Sequence, residues 1–549
     1  MDIHNNDINL KSACRELIEM VLSNEINNSL SLNAAKKKIS KKYKLSSLPR
    51  SSDIFLSGTE KEQKKVNQIL QRKPVRTISG VAVIAAMTSP APCPHGACIP
   101  CPGGPNSQFE TPQSYMGSEP ATMRAIQNKY DPYNSVTSRL SQLKTIGHSV
   151  DKSELILMGG TISARSIDYQ EWFVKRCIEA MNDFCGKEWR KKANPIGNEY
   201  PYFTLEEVFK ANEGAKIRNT GITFETRPDW AKPMHVDKML ELGSTKIELG
   251  VQSIYDFVLS RVNRGHTVQD TIDANKVIRD SALKIGFHMM LGLPGMSIKR
   301  DFESFERLFT ESNFMPDYVK IYPTLVTEGT LLYDLWKGGK YNALCDDMAL
   351  ELICRIKSIV PKWVRVQRIQ RDIPSHQIFA GVRKSNIGQL ATRRLHESGL
   401  KCKCIRCREV GHNVLKGVEV NVDDIVPTIT EYDACGGKEY FIAFEELNAD
   451  VLIGFLRLRL VGVSQKDELL GCALVRELRV YGSMVPVGDS FKNTDWQHRG
   501  IGRKLLAMAE EIAKGEGYRK IAVLSGIGVR KYYKKLGYER VGIYMVKKI

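Results

Sequence analysis

Apolar and polar positions alternate along this chain in two rhythms. From about residue 79, short apolar and β-branched runs recur at intervals long enough to hold a helix: 81–86, 154–158, 222–225, 246–249, 285–291 and 318–322. Strand-length runs separated by helix-length segments predict β/α alternation, and so a mostly parallel sheet curling into a partial or full barrel. Several runs end in glycine or charge, as in Gly159-Gly160-Thr161, Glu225-Thr226-Arg227-Pro228-Asp229, Gly250-Val251-Gln252-Ser253 and Gly292-Leu293-Pro294-Gly295. In β/α barrels the carboxyl ends of the strands are where sites are built. Later the rhythm changes. Strands at 440–444, 451–460 and 474–481 follow closely on one another and lead into a helix after Gln497-His498-Arg499-Gly500-Ile501-Gly502. A strand at 521–524, a helix through Tyr532-Tyr533 and a last strand near Tyr544 complete a predicted α+β domain.

Two segments fit neither rhythm. The first 75 residues combine amphipathic stretches such as 10–22 with the basic run Lys36, Lys37, Lys38, Lys41, Lys42 and Lys44, which reads as an RNA-binding arm or as a solvated helix face. Residues 396–435 hold His396, Cys402, Cys404, Cys407 and His412 in a basic, glycine-containing stretch that reads as a linker module. The expected organisation is therefore 1–75, 76–395, 396–435 and 436–549.

Composition narrows the class. At 549 residues the chain exceeds the length over which one core keeps growing, so several domains are expected. With 42% hydrophobic and 26% charged residues, neither a collagen-like nor a wholly disordered chain is in question. Lys plus Arg at 80 against Asp plus Glu at 62 gives +18, which favours a polyanionic partner, nucleic acid ahead of an anionic membrane surface. There is no membrane-length apolar run and no signal-peptide core, so a cytoplasmic protein is expected. Six of 13 cysteines fall into two tight clusters, the pattern of metal binding rather than of disulfides.

The first cluster, Cys93-Pro94-His95-Gly96-Ala97-Cys98-Ile99-Pro100-Cys101, follows the first barrel strand on a Pro/Gly-rich loop. Three soft ligands suit iron-sulfur or zinc. Three cysteines leave one iron of a 4Fe-4S cube open for a substrate, whereas structural zinc takes four ligands. In the second cluster, Cys402, Cys404 and Cys407 offer thiols to a tetrahedral zinc, with His396, His412 and Cys354 as candidates for the fourth ligand. Gln497-x-x-Gly500-x-Gly502 at a strand-to-helix junction has the form of a phosphate cradle. Arg365, Arg368, Arg371, Lys384, Arg393, Arg394, Lys401, Lys403, Arg406 and Arg408 lie between the two candidate sites and would form a seam that tracks RNA phosphates.

The Cys93–Cys101 spacing resembles that of the radical-SAM superfamily, CxxxCxxC, with one extra residue in the first gap. Together with the stretch from Gln113 through Gln127, Tyr130-Asp131-Pro132-Tyr133, Met158-Gly159-Gly160-Thr161, 225–229 and 248–253, it resembles the Elongator catalytic-subunit family of tRNA uridine acetyltransferases over about residues 75–549. The triplet Glu477-Leu478-Arg479-Val480-Tyr481-Gly482, Gln497 to Gly502 and Tyr532-Tyr533 resembles the GNAT acetyltransferases.

The resemblance implies a 4Fe-4S cluster on Cys93, Cys98 and Cys101, and S-adenosylmethionine contacted by Gly159, Gly160, Glu225, Arg227 and Gln252. It implies acetyl-CoA held by the main chain of Glu477, Leu478, Arg479 and Val480, by Gln497, Gly500, Ile501, Gly502 and Arg503, and by Lys152, with Tyr532 or Tyr533 beside the thioester. The reaction it implies removes a hydrogen atom from the acetyl methyl, adds the resulting radical to C5 of wobble uridine in the tRNA anticodon stem-loop, and hydrolyses the thioester. Both sites are then expected to face one cavity. An external electron donor and possible self-association complete the expectations. The rival reading, a protein lysine acetyltransferase with a structural cluster, needs neither S-adenosylmethionine nor a reductant.

Overall fold

A computed structural model describes residues 2–45, 48–49, 51–70, 77–184, 204–462, 464, 466–482 and 500–549. Seven strands form one sheet in strict chain order: β1 Ala82–Met87, β2 Lys152–Met158, β3 Arg218–Thr226, β4 Ser244–Gln252, β5 Lys284–Leu291, β6 Tyr318–Pro323 and β7 Arg365–Ile369. Each is parallel to the next, and β1 and β7 are edges that do not pair, so the barrel is partial. Helices such as Ile167–Asp183, Val268–Asp280 and Ile298–Thr310 supply the crossovers and bury one face against the sheet. β7 was not foreseen. Its sequence Arg-Val-Gln-Arg-Ile buries only Val366 fully, so the apolar signal of a sheet strand is missing.

The second sheet has the order β13-β14-β12-β11-β10-β9-β8, with β8 Ile425–Ala434, β9 Gly437–Glu446, β10 Val451–Leu460, β11 Cys472–Val480, β12 Lys520–Val523, β13 Glu539–Val541 and β14 Tyr544–Lys548. β8 falls inside the segment expected as a linker and pairs with β9 along its whole length. Its exposed, polar edge position hid it. The helix Ile501–Gly515 packs its apolar face on this sheet.

The two sheets meet at the amino ends of the parallel strands. Gly526 and Gly528 lie so close to β3 that an added Cβ would sit 2.2 Å from the Thr220 carbonyl oxygen or 2.6 Å from the Arg218 Cβ. Between them is a fully buried charge cluster. Arg476 on β11 forks onto Asp317 at 2.6 and 2.8 Å and reaches Glu439 at 2.8 Å, while Arg279 reaches Glu439 at 2.9 Å. Burial opposes the Asp317 charge, but Arg476, Arg457 and Arg279 hold its pKa well below the usual carboxylate range. Breaking one such buried pair costs about 3–5 kcal/mol. The cluster therefore fixes how the halves dock.

The amino-terminal helices Asp2–Leu22, Ser29–Lys42, Ser51–Ser57 and Glu60–Leu70 gather a separate core around Cys14, Leu17, Ile18 and Ile54. Within the basic run, Lys36 turns inward and its Nζ donates to Ser51 Oγ at 3.0 Å, whereas Lys37, Lys38, Lys41, Lys42 and Lys44 face solvent. Among the described residues, no helix is long and apolar enough to cross a membrane.

Candidate active site

The carboxyl ends of the parallel strands surround a cavity of about 230 Å³. Cys93, Cys98 and Cys101 all line it, carried by the loop that leaves β1. Cys93 Sγ lies 3.2 Å from Thr161 Oγ1, Cys98 Sγ 3.0 Å from His95 Nε2, and Cys101 Sγ 3.5 Å from Ser114 Oγ. Burial pushes the Cys101 thiol up to about 11 and raises Cys93 as well. Such partly buried thiols give up their protons to a metal far more readily than to water.

The walls are short of partners in a telling way. Gln113 Oε1, Arg227 Nη1, Gln252 Oε1 and Arg264 Nε are buried without a hydrogen bond, all on residues that line the cavity. Such groups cost free energy unless a ligand satisfies them. Gln252 also sits at φ +68°, a left-handed conformation held against its intrinsic preference at the end of β4. Gly159, at φ +127°, has no room for a side chain, since a Cβ would lie 2.2 Å from Thr88 Oγ1. Gly160, at φ +81°, exposes its backbone to the cavity opposite Gln113. Three thiols on one loop, a bare glycine backbone and orphan polar atoms fit a thiolate-ligated cluster with a polar organic molecule beside it.

Glu225 accepts from Lys320 Nζ at 2.7 Å, and Arg227 forks onto Asp229 at 2.9 and 2.7 Å. Both expected contact residues are thus partly committed inside the protein, although both line the cavity. Lys320 continues to Glu248 at 2.6 Å, Glu248 to Lys246 at 3.0 Å and to His288 at 2.9 Å, Lys246 to Glu154 at 3.5 Å, and Glu154 to Arg479 on β11 at 3.7 Å. Burial alone would lower the Lys320 pKa, but Glu225 and Glu248 hold it well above the ordinary lysine value. This charged column runs from the cavity to β11. Among the described residues the cavity is lined wholly from 93–372, and packed ion pairs lie between it and β11.

At the far end of the column, β11 pairs with β12 only over Cys472–Val475, while its other edge stays paired to β10 as far as Val480. From Arg476 onward one main-chain edge of β11 has no strand partner among the described residues, which suits an extended ligand that adds itself as a strand. Glu477 and Arg479 aim their side chains at the barrel. Glu477 accepts from Tyr318 Oη and, at 3.0 Å, from Arg457 Nε. Leu478 and Val480 alternate to the other face. Gly500 opens the helix Ile501–Gly515 at φ +76°, and a Cβ on Gly502 would meet Tyr532 Oη at 2.8 Å. The two tyrosines therefore separate: Tyr533 is a core residue, whereas Tyr532 is 36% exposed with its hydroxyl at the helix start. Ile501 and Arg503 belong to that same first turn, with Ile501 buried. Lys152 begins β2 at the end of the barrel where β11 docks, in register with Arg218. Gln497 lies outside the described residues.

Cys402, Cys404 and Cys407 bring their sulfurs within 4.8 Å of one another, which fits a soft cation. Among the described residues, none of the three candidates for a fourth ligand joins them. Cys354 Sγ donates to the Ala391 carbonyl at 3.4 Å, His412 Nε2 lies 4.0 Å from Glu409, and Lys357 Nζ is 3.6 Å from Cys407 Sγ. The module braces the two halves. Arg408 pairs with Glu445 and Asp450 at 2.9 and 2.6 Å, and Glu409 pairs with Arg365 at 2.8 Å. Arg365 and Arg408 are therefore internal and leave the expected RNA seam. Arg368 and Arg371 line the cavity, and Lys384, Arg393, Lys401, Lys403 and Arg406 are exposed.

Sequence reading passed over His95, Arg264, Glu248, His288 and Lys320. The signal was present for the last three, which are polar residues inside otherwise apolar strands.

Comparison with known proteins agrees with this architecture. Residues 10–78 match the ELP3 N-terminal domain, 93–308 the radical SAM superfamily, 316–397 the radical SAM C-terminal domain and 425–538 the acetyltransferase (GNAT) family. The chain is 50% identical over 505 residues to the tRNA uridine(34) acetyltransferase of Methanocaldococcus infernus, covering 91% of this chain and 92% of that one. It is 42% identical to Elongator complex protein 3 of Saccharomyces cerevisiae (95% and 92% covered) and 41% identical to that of Homo sapiens (96% and 95%). The solved structure of archaeal M. infernus Elp3 with an N-terminal deletion (1–46) superposes with a TM-score of 0.74 at 45% identity, covering 86% of this chain and all of that one.

Proposed function

Because the chain belongs to the family of the tRNA uridine(34) acetyltransferases and Elongator complex protein 3, we propose that its two halves serve one reaction, placing a carboxymethyl group on C5 of tRNA wobble uridine. The protein is an acyltransferase with a radical-SAM half-barrel and a GNAT domain, and its cofactors are a 4Fe-4S cluster, S-adenosylmethionine, acetyl-CoA and zinc. Cys93, Cys98 and Cys101 hold the cluster. Bound there with S-adenosylmethionine, it supplies one-electron chemistry able to break an unactivated C–H bond. The Gly159-Gly160 backbone, Glu225, Arg227 and Gln252 orient the S-adenosylmethionine, and the buried setting excludes water.

On the other side, the open edge of β11 from Glu477 to Val480 takes the pantetheine, and Gly500, Ile501, Gly502 and Arg503 receive the pyrophosphate at the helix start. Tyr532 stands by the thioester, and Lys152 reaches it from the barrel. Cys402, Cys404 and Cys407 hold zinc as a brace. We divide the chain into an RNA-binding region to residue 75, a radical-SAM domain to 395, a brace to about 424 and a GNAT domain beyond. The anticodon stem-loop binds over Arg368, Arg371 and the exposed basic residues that follow, an external donor supplies the electron, and the enzyme works in the cytoplasm as a self-associated species.

The observation that carries this reading is the convergence of three thiols and four orphan polar atoms on one cavity. Anaerobically reconstituted protein given tRNA, acetyl-CoA, S-adenosylmethionine and a reductant should yield carboxymethyluridine on nucleoside mass spectrometry. A Cys98→Ala variant that still makes it would end the radical account. Acetyl-lysine formation without S-adenosylmethionine would favour a protein acetyltransferase.

A further inference from the structure

The cluster loop departs from the common radical-SAM spacing by one residue in its first gap, and the structure shows where that residue goes. The gap closes as a turn: the Gly96 amide donates to the Cys93 carbonyl at 3.0 Å, with Gly96 at φ +82°. The turn folds His95 back so that its Nε2 lies 3.0 Å from Cys98 Sγ. From the opposite wall, Arg264 points its Nη1 at the same sulfur at 3.6 Å and donates from Nη2 to the Gly250 carbonyl at 2.6 Å.

Close approach of the two segments requires the next residue to be glycine. Gly265, at φ +73°, would place a Cβ 2.7 Å from the His95 Cβ. Arg264 makes no ion pair among the described residues, whereas its neighbour Arg227 is neutralised by Asp229 at 2.7 Å. His266, 6% exposed, is held neutral by burial and by the neighbouring Arg264 and Arg227 charges. The guanidinium of Arg264 is thus the uncompensated positive charge beside Cys98.

We propose that Arg264 and His95 are positioning residues that raise the reduction potential of the cluster by donating to the Cys98 sulfur, and that the lengthened first gap places His95 to do so. Hydrogen bonds and positive charge at a ligating sulfur stabilise the state that has gained an electron, and both act on the potential of iron-sulfur centres. The inference rests on reading Cys93, Cys98 and Cys101 as cluster ligands.

The test is a redox titration of the reconstituted full chain without substrate, following the EPR signal of the reduced cluster, with iron and acid-labile sulfide measured in every sample. Arg264→Gln should lower the equilibrium constant for one-electron reduction about tenfold, equivalent to about 59 mV. His95→Leu should move it the same way by less, and Arg264→Lys, which keeps the charge, should recover most of the difference. If Arg264→Gln fails to hold iron, Arg264→Lys and His95→Leu decide. Reduction constants within twofold of wild type in variants with full iron overturn the tuning role alone. Wild-type protein without labile sulfide, or Cys98→Ala with undiminished iron, overturns the ligand reading and this proposal with it.

Discussion

Replacing Lys320 by methionine tests whether the charges in the barrel lumen hold the half-barrel together. The ammonium lies 2.7 Å from Glu225 and 2.6 Å from Glu248, and its removal strands the two carboxylates unequally. Glu248 keeps Lys246 at 3.0 Å, His288 at 2.9 Å and Gln367 Nε2 at 3.1 Å. Glu225 has no second cation among the described residues. The loss therefore amounts to about one unpaired buried carboxylate, ~3–5 kcal/mol, and nearer the lower figure because Glu225 borders the cavity, where water can reach it. Methionine matches the lysine stem, so little of the loss comes from packing. Adding Glu225→Gln removes the stranded charge and should return about half of the loss. Urea unfolding of the full chain, followed by tryptophan fluorescence, measures both variants against wild type. A single variant within ~1 kcal/mol of wild type, or a double variant no more stable than the single, would refute the view that these pairs are mutually dependent.

Three further outcomes are expected. Tyr533→Ala should cost ~3–5 kcal/mol because it empties a core site, whereas Tyr532→Phe should leave the melting temperature within about a degree and lower kcat for acetyl-CoA turnover; calorimetry and steady-state kinetics separate the two. Gly159→Ala should abolish S-adenosylmethionine binding in equilibrium dialysis and leave acetyl-CoA binding intact, since the added Cβ meets Thr88 Oγ1 at 2.2 Å on the barrel side alone. Asp317 and Glu439 are held below their unfolded values of about 3.9 and 4.3, by Arg476 first among the arginines around them and against the opposing effect of burial. Depressed carboxylate values stabilise fully above the unfolded pKa and progressively less as pH falls toward the folded one. Calorimetric melting temperatures should accordingly stay level from about pH 8 to 5 and drop below about pH 4.5, and Asp317→Asn should lower the plateau and flatten the acid limb.

Local pattern carried much of the architecture. Apolar runs spaced by helices yielded six of the seven barrel strands, because parallel strands buried on both faces read as continuous apolar stretches. β7 and β8 escaped because, unlike the apolar edge strand β1, their outward positions are mostly charged or polar. The cysteine loop, the Gly159-Gly160 turn and the glycines at Gly500 and Gly502 were legible because each needs particular residues within a few positions of one another.

What the chain order could not disclose is which charged residues face one another after folding. Arg365 and Arg408 looked like RNA contacts and proved to be internal struts, while Glu154, Lys246, Glu248, His288 and Lys320, scattered over four strands, became one column. Tyr532 and Tyr533 are adjacent in the chain but lie on opposite sides of the boundary between surface and core. A strand's alternation says which residues share a face but not which face closes inward, because that depends on pairing with strands tens to hundreds of residues away. The kinds of chemistry available to this protein were therefore present in the linear order of its residues, and their distances, partners and charge balance were decided only when the half-barrel curled and the second sheet docked against its amino end.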